Sequence, residues 1–313
     1  MVEGTGFAAS ARLGRAEKRL PSAEAWRSVR LDDCDRLLAS MCGQVDGYAP
    51  EMAGFLEDLT GPDALRLLGG DSTVIIPVGA VEQHGPHLPL SVDHIIASEA
   101  AAAVVDRLGD DLDVWAAPTL PYSKSNEHAW SAGTVWLSNE TMHRVLDDIV
   151  RCLAFSGVRR VVFLNGHGGN STLLNVACRE ARLAHGVLTF LVHPFVPPAY
   201  SAPDPDAAAD NELGMGIHGG LDETSVMMHL RPELVDLSKA VRNVPDWLAR
   251  NEHVKFGGSV QFGWLSNDFG EVGHIGDPRG ATAELGKKLF DDSVDFLCRQ
   301  LREIVEFDFR PGE

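Results

Sequence analysis

The sequence is short of basic residues and of cysteine. Its 313 residues carry 27 lysines and arginines against 45 aspartates and glutamates, which gives a formal net charge of −18. This deficit excludes the basic surface that nucleic-acid binding requires. The five cysteines are odd in number, widely spaced and never form a Cys-x-x-Cys pair, which argues against a disulfide framework and against a thiolate zinc site.

Long apolar runs are also missing. The longest apolar stretch, residues 95–105, is interrupted by Ser98 and Glu99 and falls short of the roughly 18 to 20 residues that span a bilayer. The N-terminal segment MVEGTGFAASARLGRAEKRL lacks the apolar core of a secretory signal. We therefore expect a soluble, cytoplasmic protein with no membrane partner.

Two catalytic signatures are absent as well. The sequence has neither the Gly-Lys-Ser/Thr phosphate loop nor the Gly-x-Ser-x-Gly nucleophile elbow. The glycines Gly4 and Gly6 follow no predicted strand, so they do not indicate a dinucleotide site. We therefore expect the functional residues to belong to other motifs.

From residue 72 onward, short β-branched runs alternate with helical patterns. This alternation predicts a parallel sheet with helices on both faces. Ser138 is a predicted helix N-cap, and Gly186 is predicted to end a helix. Strands are predicted at residues 73–78, 114–118, 160–164 and 187–192, and helices at 95–108, 139–155, 171–185, 223–230 and 282–305.

Two further segments stand apart from this alternation. Residues 1–50 form a predicted N-terminal arm of unknown role, ahead of a larger α/β domain over residues 51–313. Residues 194–216 form a long irregular stretch rich in proline, alanine and aspartate, and loops of this length are usually functional or disordered.

Histidines and carboxylates concentrate directly after the predicted strands. In an open α/β sheet, ligands bind in the crevice beyond the carboxyl ends of the strands. Neighbouring glycines let the backbone approach a ligand closely. The segments are Glu82-Gln83-His84 with Asp93 after the first strand, Asn165-Gly166-His167-Gly168-Gly169-Asn170 after the third, and His218-Gly219-Gly220 with Asp222-Glu223 at the start of a short helix.

This set of carboxylates and imidazoles, with no thiolate, suits a divalent ion such as zinc, manganese or iron. Each residue also has another interpretation. A histidine beside glycine often only forms hydrogen bonds within its loop, and an acidic residue before Thr-Ser at a helix start often caps the helix. Recurrence after successive strands is what favours a metal site.

The same segments resemble the creatininase (creatinine amidohydrolase) family, in the same order along the chain. The resemblance rests on GAVEQHGPHLPLSVD at residues 79–93, NGHGGN at 165–170, HGGLDETS at 218–225 and a closing segment at 262–286. It extends over about residues 55–305. It implies a three-layer α/β/α fold with a mainly parallel sheet, a homo-oligomer, and a metallohydrolase site that holds two divalent metal ions (Zn, Mn or Fe).

Each position that matches the family carries an implied role. Asp93 matches the carboxylate that bridges the metals, and His218 matches a catalytic histidine that transfers a proton at the substrate. The implied metal ligands are Glu82, His84, Asp93, His167 and Glu223. The residues expected on the substrate side are Ser123, Glu127, His128 and Gly168.

Three positions depart from the pattern of creatininase itself. Creatininase has a ligating glutamate at the position of Gly169, a tryptophan at that of Gly214 and a glutamate at that of Ile217. Because the enclosing tryptophan is missing, we do not expect creatinine as the substrate. The Gly-Gly pattern resembles a subgroup that includes formamide deformylase-like enzymes and peptidases that act on the mycofactocin precursor peptide.

The motifs therefore predict a metal-dependent amidohydrolase that cleaves the C–N bond of a cyclic amide, formamide or peptide with a metal-activated water. Two divalent ions about 3.5–4 Å apart lower the pKa of water, orient the substrate and stabilise the developing oxyanion. Two alternatives stay open. One is a catalytically idle metal-binding scaffold that recruits a partner through residues 1–50, and the other is amide or lactam chemistry in a biosynthetic pathway.

Overall fold

The computed structural model describes residues 54–108, 111–197 and 211–309. Every described residue belongs to one compact unit of the chain, which lies within residues 48–313. The predicted N-terminal arm lies outside the described residues, as does most of the predicted irregular stretch.

A five-stranded parallel sheet forms the centre of this unit. Its strands are β1 (Gly54–Phe55), β2 (Thr73–Val78), β3 (Val114–Ala116), β4 (Arg160–Asn165) and β5 (Leu188–Val192). They follow the order β1-β3-β2-β4-β5, and each neighbouring pair is parallel. The central strands β2 and β4 consist mostly of β-branched and aliphatic residues, as expected where both faces of a sheet are buried.

Helices cover both faces of the sheet. They are α1 (Gly61–Leu67), α2 (Val92–Leu108), α3 (Asn139–Phe155), α4 (Ser171–His185), α5 (Leu221–Leu230) and α6 (Ala283–Glu306). Val74 and Ile76 pack with α3 and α4 on one face, whereas Ile75 packs with α2 and α6 on the other, because successive strand residues point to opposite faces. This confirms the predicted α/β/α fold. None of these helices has the length and apolar character needed to cross a membrane.

Most element ends match the prediction. The Ser138 hydroxyl accepts a hydrogen bond from the Thr141 N–H at 3.2 Å and caps α3, and Gly186 ends α4 with a φ of 70°. The predicted starts of α2 and α5 are wrong, since these helices begin at Val92 and Leu221. Both corrections place a predicted ligand, Asp93 or Glu223, in a first helical turn. The N-terminus of a helix stabilises a carboxylate there.

Gly286 lets α6 pack closely against α5, the helix that carries Glu223. A Cβ atom at position 286 would lie 1.8 Å from the carbonyl oxygen of Ser225, far inside van der Waals contact. The Ser225 hydroxyl also accepts a hydrogen bond, at 3.2 Å, from the backbone N–H of Thr282, the N-cap of α6. The start of α6 therefore helps to fix the position of α5.

The substitution Gly286→Ala should destabilise the protein by about 1–3 kcal/mol, the usual cost of overpacking. This reverses the usual effect, because alanine is normally the better helix former. Gly61→Ala in α1 is the matched control, since nothing lies within 4 Å of its Cβ position. Urea unfolding measures both free energies. A Gly286→Ala protein as stable as the wild type would contradict the close contact between α5 and α6.

Candidate metal centre

Two glycines seat the start of α2 against the carboxyl ends of β2 and β4. These strands end in register, and Gly79 and Gly166 follow them directly. A Cβ atom at Gly79 would lie 2.5 Å from the His94 Cα, and one at Gly166 would lie 2.6 Å from the Asp93 carbonyl oxygen. Because any larger residue would push α2 outward, the glycines hold Asp93 at this edge of the sheet.

Asp93 lies between two histidines from different loops. Its Oδ1 is 3.2 Å from His84 Nε2, and its Oδ2 is 3.3 Å from His167 Nδ1. Each carboxylate oxygen therefore faces a separate group of potential ligands. Two of the three groups among the described residues contain Asp93: one combines it with His167 and Glu82, and another with His84 and Glu223. The third group consists of Glu82, His84 and His218. Two cations bound in the first two groups would share Asp93.

Glu82 is completely buried, and neither of its carboxylate oxygens accepts a hydrogen bond among the described residues. Its Oε1 nevertheless lies within ion-pair distance of three imidazoles: His167 Nδ1 at 3.2 Å, His128 Nε2 at 3.4 Å and His218 Nδ1 at 3.7 Å. A buried carboxylate needs compensation by charge or hydrogen bonds. Oxygen and nitrogen donors in this arrangement fit a divalent cation such as zinc or manganese.

Glu223 reaches the second group from the first turn of α5. Its Oε2 accepts a hydrogen bond from the Gly219 N–H at 2.6 Å and lies 4.0 Å from His84 Nε2. Burial and the nearby Asp93 carboxylate raise the pKa of Glu223 to about 7, although His84 acts in the opposite direction. The structure brings all five predicted metal ligands together.

Burial and neighbouring carboxylates act in opposite directions on the histidines. Burial alone would lower the pKa of His84, but Asp93, with a smaller contribution from Glu223, raises it to about 9. The pKa of His167 also lies well above its usual value despite burial, because three carboxylates surround the ring. In the metal-free protein these imidazoles hold protons, which a cation has to displace on binding.

His218, the predicted proton carrier, lies next to the potential ligands: its Nδ1 is 3.7 Å from Glu82 Oε1. Its Nε2 lies 2.6 Å from the Gln83 carbonyl oxygen. Because a carbonyl oxygen can only accept, Nε2 carries the hydrogen of this hydrogen bond, and in the neutral ring the unprotonated Nδ1 faces Glu82. Burial and the charges of His84 and His128 hold the pKa of His218 well below its usual value. The ring is thus a neutral imidazole that can accept a proton or bind a cation.

Glu127 contacts the far side of His167. Its Oε1 lies 3.3 Å from His167 Nε2, and its Oε2 accepts a hydrogen bond from Lys124 Nζ at 2.8 Å. A carboxylate behind a metal-binding histidine fixes the tautomer and the orientation of the ring. Gly169 makes this possible, because a Cβ atom there would lie 1.8 Å from Glu127 Oε1. Glu127 occupies the space that a larger side chain at position 169 would need.

The other predicted substrate-side residues differ in position. His128 and Gly168 line the cavity beside the clusters, as does Glu127. Ser123 is completely buried and donates its hydroxyl proton to the Gly79 carbonyl at 2.7 Å, so it supports the loop that follows β2. It is not among the residues that line the cavity.

Gln83 organises the site but was not among the predicted site residues. Its Nε2 lies 2.9 Å from His128 Nδ1 and 3.1 Å from His218 Nε2, and it donates to the Gly273 carbonyl at 2.9 Å. The only signal in the sequence is its position between Glu82 and His84, which drew attention to the neighbours instead.

A cavity of about 310 Å³ opens directly above the clusters. This volume is at the small end of the range for ligand sites. One wall consists of carboxylates and imidazoles, and a second, mostly aromatic wall comes from the segment between α5 and α6. The residues of that wall are Lys255, Phe256, Gly257, Gln261, Phe262 and Trp264.

The parallel sheet and the shared carboxylate define an α/β protein with a candidate two-metal centre. The creatinine amidohydrolase family model matches residues 57–301. A mycofactocin precursor peptide peptidase of Mycolicibacterium smegmatis is 34% identical over 232 residues, which cover 73% of this chain and 84% of the relative. A creatinine amidohydrolase of Pseudomonas putida is 36% identical over 196 residues, or 58% of this chain and 72% of the relative. The chain belongs to the creatininase family.

Solved structures agree with this assignment. A crystal structure of creatinine amidohydrolase covers 83% of this chain and 100% of its own, with a TM-score of 0.64 and 25% identity. A structure of creatininase with Mn covers 81% of this chain and 99% of its own, with a TM-score of 0.64 and 26% identity. The buried clusters described above are consistent with a binuclear site of the kind known from Mn and Zn forms of creatininase.

The substitution Gly169→Ala should weaken metal binding about 10- to 100-fold, the range found when the support of a ligating histidine is lost. The added methyl group would displace Glu127 from His167. Gly168→Ala is the matched control, because nothing lies within 4 Å of its Cβ position. Competition with a chelator measures the Zn²⁺ affinity of both variants. Equal affinities would refute the supporting role of Glu127.

Proposed function

We propose that this protein is a metal-dependent amidohydrolase that cleaves a C–N amide bond with water. The observation that carries the proposal is the orientation of Asp93, whose two oxygens each face a different histidine in a different group of potential ligands. One helix thus presents a single carboxylate to two adjacent cation sites. The orphaned oxygens of Glu82 support the same assignment.

Five residues are the proposed ligands of two divalent ions (Zn, Mn or Fe). Glu82, Asp93 and His167 would hold one ion, and His84, Asp93 and Glu223 would hold the other. Bound ions of this kind act as Lewis acids that lower the pKa of water and stabilise negative charge on a carbonyl oxygen. The pair of Glu127 and Lys124 keeps the His167 ring in the orientation that directs Nδ1 toward Glu82 and Asp93.

His218 is the proposed catalytic acid and base. Its Nε2 proton is engaged by the Gln83 carbonyl, so Nδ1 is available to take a proton from the attacking water. Hydrolysis joins the water oxygen to the carbonyl carbon, breaks the C–N bond and requires a proton on the leaving nitrogen. His218 delivers that proton, and the net reaction consumes one water.

The proposed substrate is a small-molecule or peptide amide. The relatives named above include a peptidase and an amidohydrolase, both of which cleave C–N bonds. Gly214, at the position of an enclosing tryptophan in creatininase, supports a substrate other than creatinine. A homo-oligomer and a cytoplasmic location are part of the same proposal, on the grounds given by the sequence.

Metal content tests the ligand assignment. Wild-type protein should bind about two equivalents of Zn²⁺ or Mn²⁺, as expected for a two-metal hydrolase. Glu223→Gln should lower the content toward one equivalent, and Asp93→Asn should abolish it, because Asp93 serves both ions. Glu233→Gln and Asp147→Asn on the surface are the matched controls. Elemental analysis after dialysis against a fixed free metal concentration gives the stoichiometry.

Wild-type protein that binds no added metal would overturn the proposal and favour a scaffold role for this fold. Retention of two equivalents by Asp93→Asn would contradict the bridging assignment alone.

The substitution His218→Gln separates proton transfer from metal binding. We expect both metals to be retained and hydrolysis to fall about 10²- to 10⁴-fold, the usual contribution of general acid–base catalysis. Initial rates on formamides, lactams and short peptides, together with metal analysis of the same samples, provide the two readouts. His185→Gln on α4 is the control. Loss of one metal equivalent would identify His218 as a ligand instead.

A further inference from the structure

The cavity above the clusters has two chemically distinct walls, and the proposed hydrolysis uses only one of them. The wall of carboxylates and imidazoles holds the proposed metals and the proton carrier. The second wall comes from the segment between α5 and α6 and includes three aromatic side chains, Lys255 and Gln261. No step of the proposed hydrolysis involves this second wall.

The aromatic side chains form a pre-built cluster with Phe256 at its centre. The Phe256 ring stacks on Phe262 with centroids 5.7 Å apart and meets Trp264 edge-on at 5.5 Å. Phe269 contacts Phe256 and Trp264 at 5.2 Å and 5.8 Å and supports the cluster from behind. The three cavity-lining rings are only half-buried, so they have surface left for a further apolar group. Rings fixed by one another lose little entropy when a ligand binds.

Lys255 adds a positive charge to the same wall. Within the described residues, no carboxylate lies within ion-pair distance of its ammonium group, whereas Lys124, the other lysine near the centre, is paired with Glu127. Metal binding neutralises the carboxylates at the base of the cavity. The charge of Lys255 is then available to an anionic group of the substrate.

The volume of the cavity limits how much substrate it admits. At about 310 Å³, it is at the small end of ligand sites and suits a single residue with a small acyl group rather than the middle of a folded chain. An aromatic ring, a carboxylate and an amide would have to lie within a few bonds of one another to meet the two walls together.

We propose that Lys255, Phe256, Phe262 and Trp264 form a substrate subsite for an aromatic group with a neighbouring carboxylate, as found in an N-acylated aromatic amino acid or a C-terminal aromatic residue. This inference rests on the proposed amidohydrolase function. The ring packs on Phe262 and Trp264, the carboxylate pairs with Lys255, and the acyl carbon faces the metal clusters. Water supplies OH to the acyl carbon and hydrogen to the nitrogen, which yields a carboxylic acid and the free amino acid.

Three formamides test the subsite in metal-loaded, full-length protein. N-formyl-L-phenylalanine carries both groups, N-formyl-L-alanine lacks the ring, and N-formylphenethylamine lacks the carboxylate. We expect kcat/KM to fall about tenfold or more when either group is missing, as for other contacts in specificity pockets. The corresponding N-formyl-N-hydroxy compounds, which chelate metals, give the same comparison by calorimetric binding without turnover.

Variants assign each preference to its residue. Phe262→Leu should reduce the preference for phenylalanine over alanine, and Phe262→Tyr should retain it because the ring is kept. Lys255→Met should abolish the preference for the carboxylate and leave N-formylphenethylamine unaffected. Lys287→Met, on the exposed face of α6, is the matched control. Metal content and melting temperature should match the wild type in all four variants.

The outcomes separate the two proposals. Hydrolysis of all three formamides with equal efficiency would overturn the subsite and leave the amidohydrolase in place. No hydrolysis, but binding of the N-hydroxy compounds in the order set by ring and carboxylate, would retain the subsite and refute the hydrolytic function. Equal or undetectable binding of the three N-hydroxy compounds, or a preference unchanged in Phe262→Leu and Lys255→Met, would overturn the subsite.

Discussion

The concentration of buried carboxylates at one edge of the sheet is the constraint on which the rest of the structure depends. The residues are Glu82, Asp93, Glu127 and Glu223. Burying negative charge is unfavourable unless positive charge and hydrogen bonds compensate it. Imidazoles from four different segments supply part of that compensation, which is why the pKa values of His84 and His167 are raised. Within the described part of the chain, both carboxylate oxygens of Glu82 and the Oδ2 of Asp93 accept no hydrogen bond, and a bound cation would compensate their negative charge.

Close packing of backbone segments makes this concentration possible. Gly79 and Gly166 bring α2 onto the ends of β2 and β4, and Gly286 brings α6 onto α5. Each contact fixes the position of a helix that carries one proposed ligand, Asp93 or Glu223. The other three proposed ligands lie in the loops that directly follow β2 and β4. The free energy of the core, formed on both faces of β2 and β4, therefore also maintains the geometry of the site.

Within the described residues the sequence predicted every strand except β1, every α-helix except α1, and the meeting of the proposed ligands, because period and strand-end position are local properties of a chain. The prediction failed for features that depend on contacts between residues far apart in the sequence. The starts of α2 and α5 were predicted three and two residues too late, because the polar residues there resemble loop or cap residues until their partners are present. Neither the role of Gln83 nor the aromatic wall was predicted. Both depend on tertiary packing, which brings Gln83 against His218 and the segment between α5 and α6 against the clusters.

Gly169 and Glu127 exclude each other in a way that bears on how this family diversifies. A side chain at position 169 and the carboxylate of residue 127 would compete for the same few cubic ångströms behind His167. A side chain at position 169 is thus incompatible with the present position of the Glu127 carboxylate. We therefore expect the two positions to covary among homologues. A homologue that fills position 169 needs another group, or another position of the residue-127 side chain, to support its histidine.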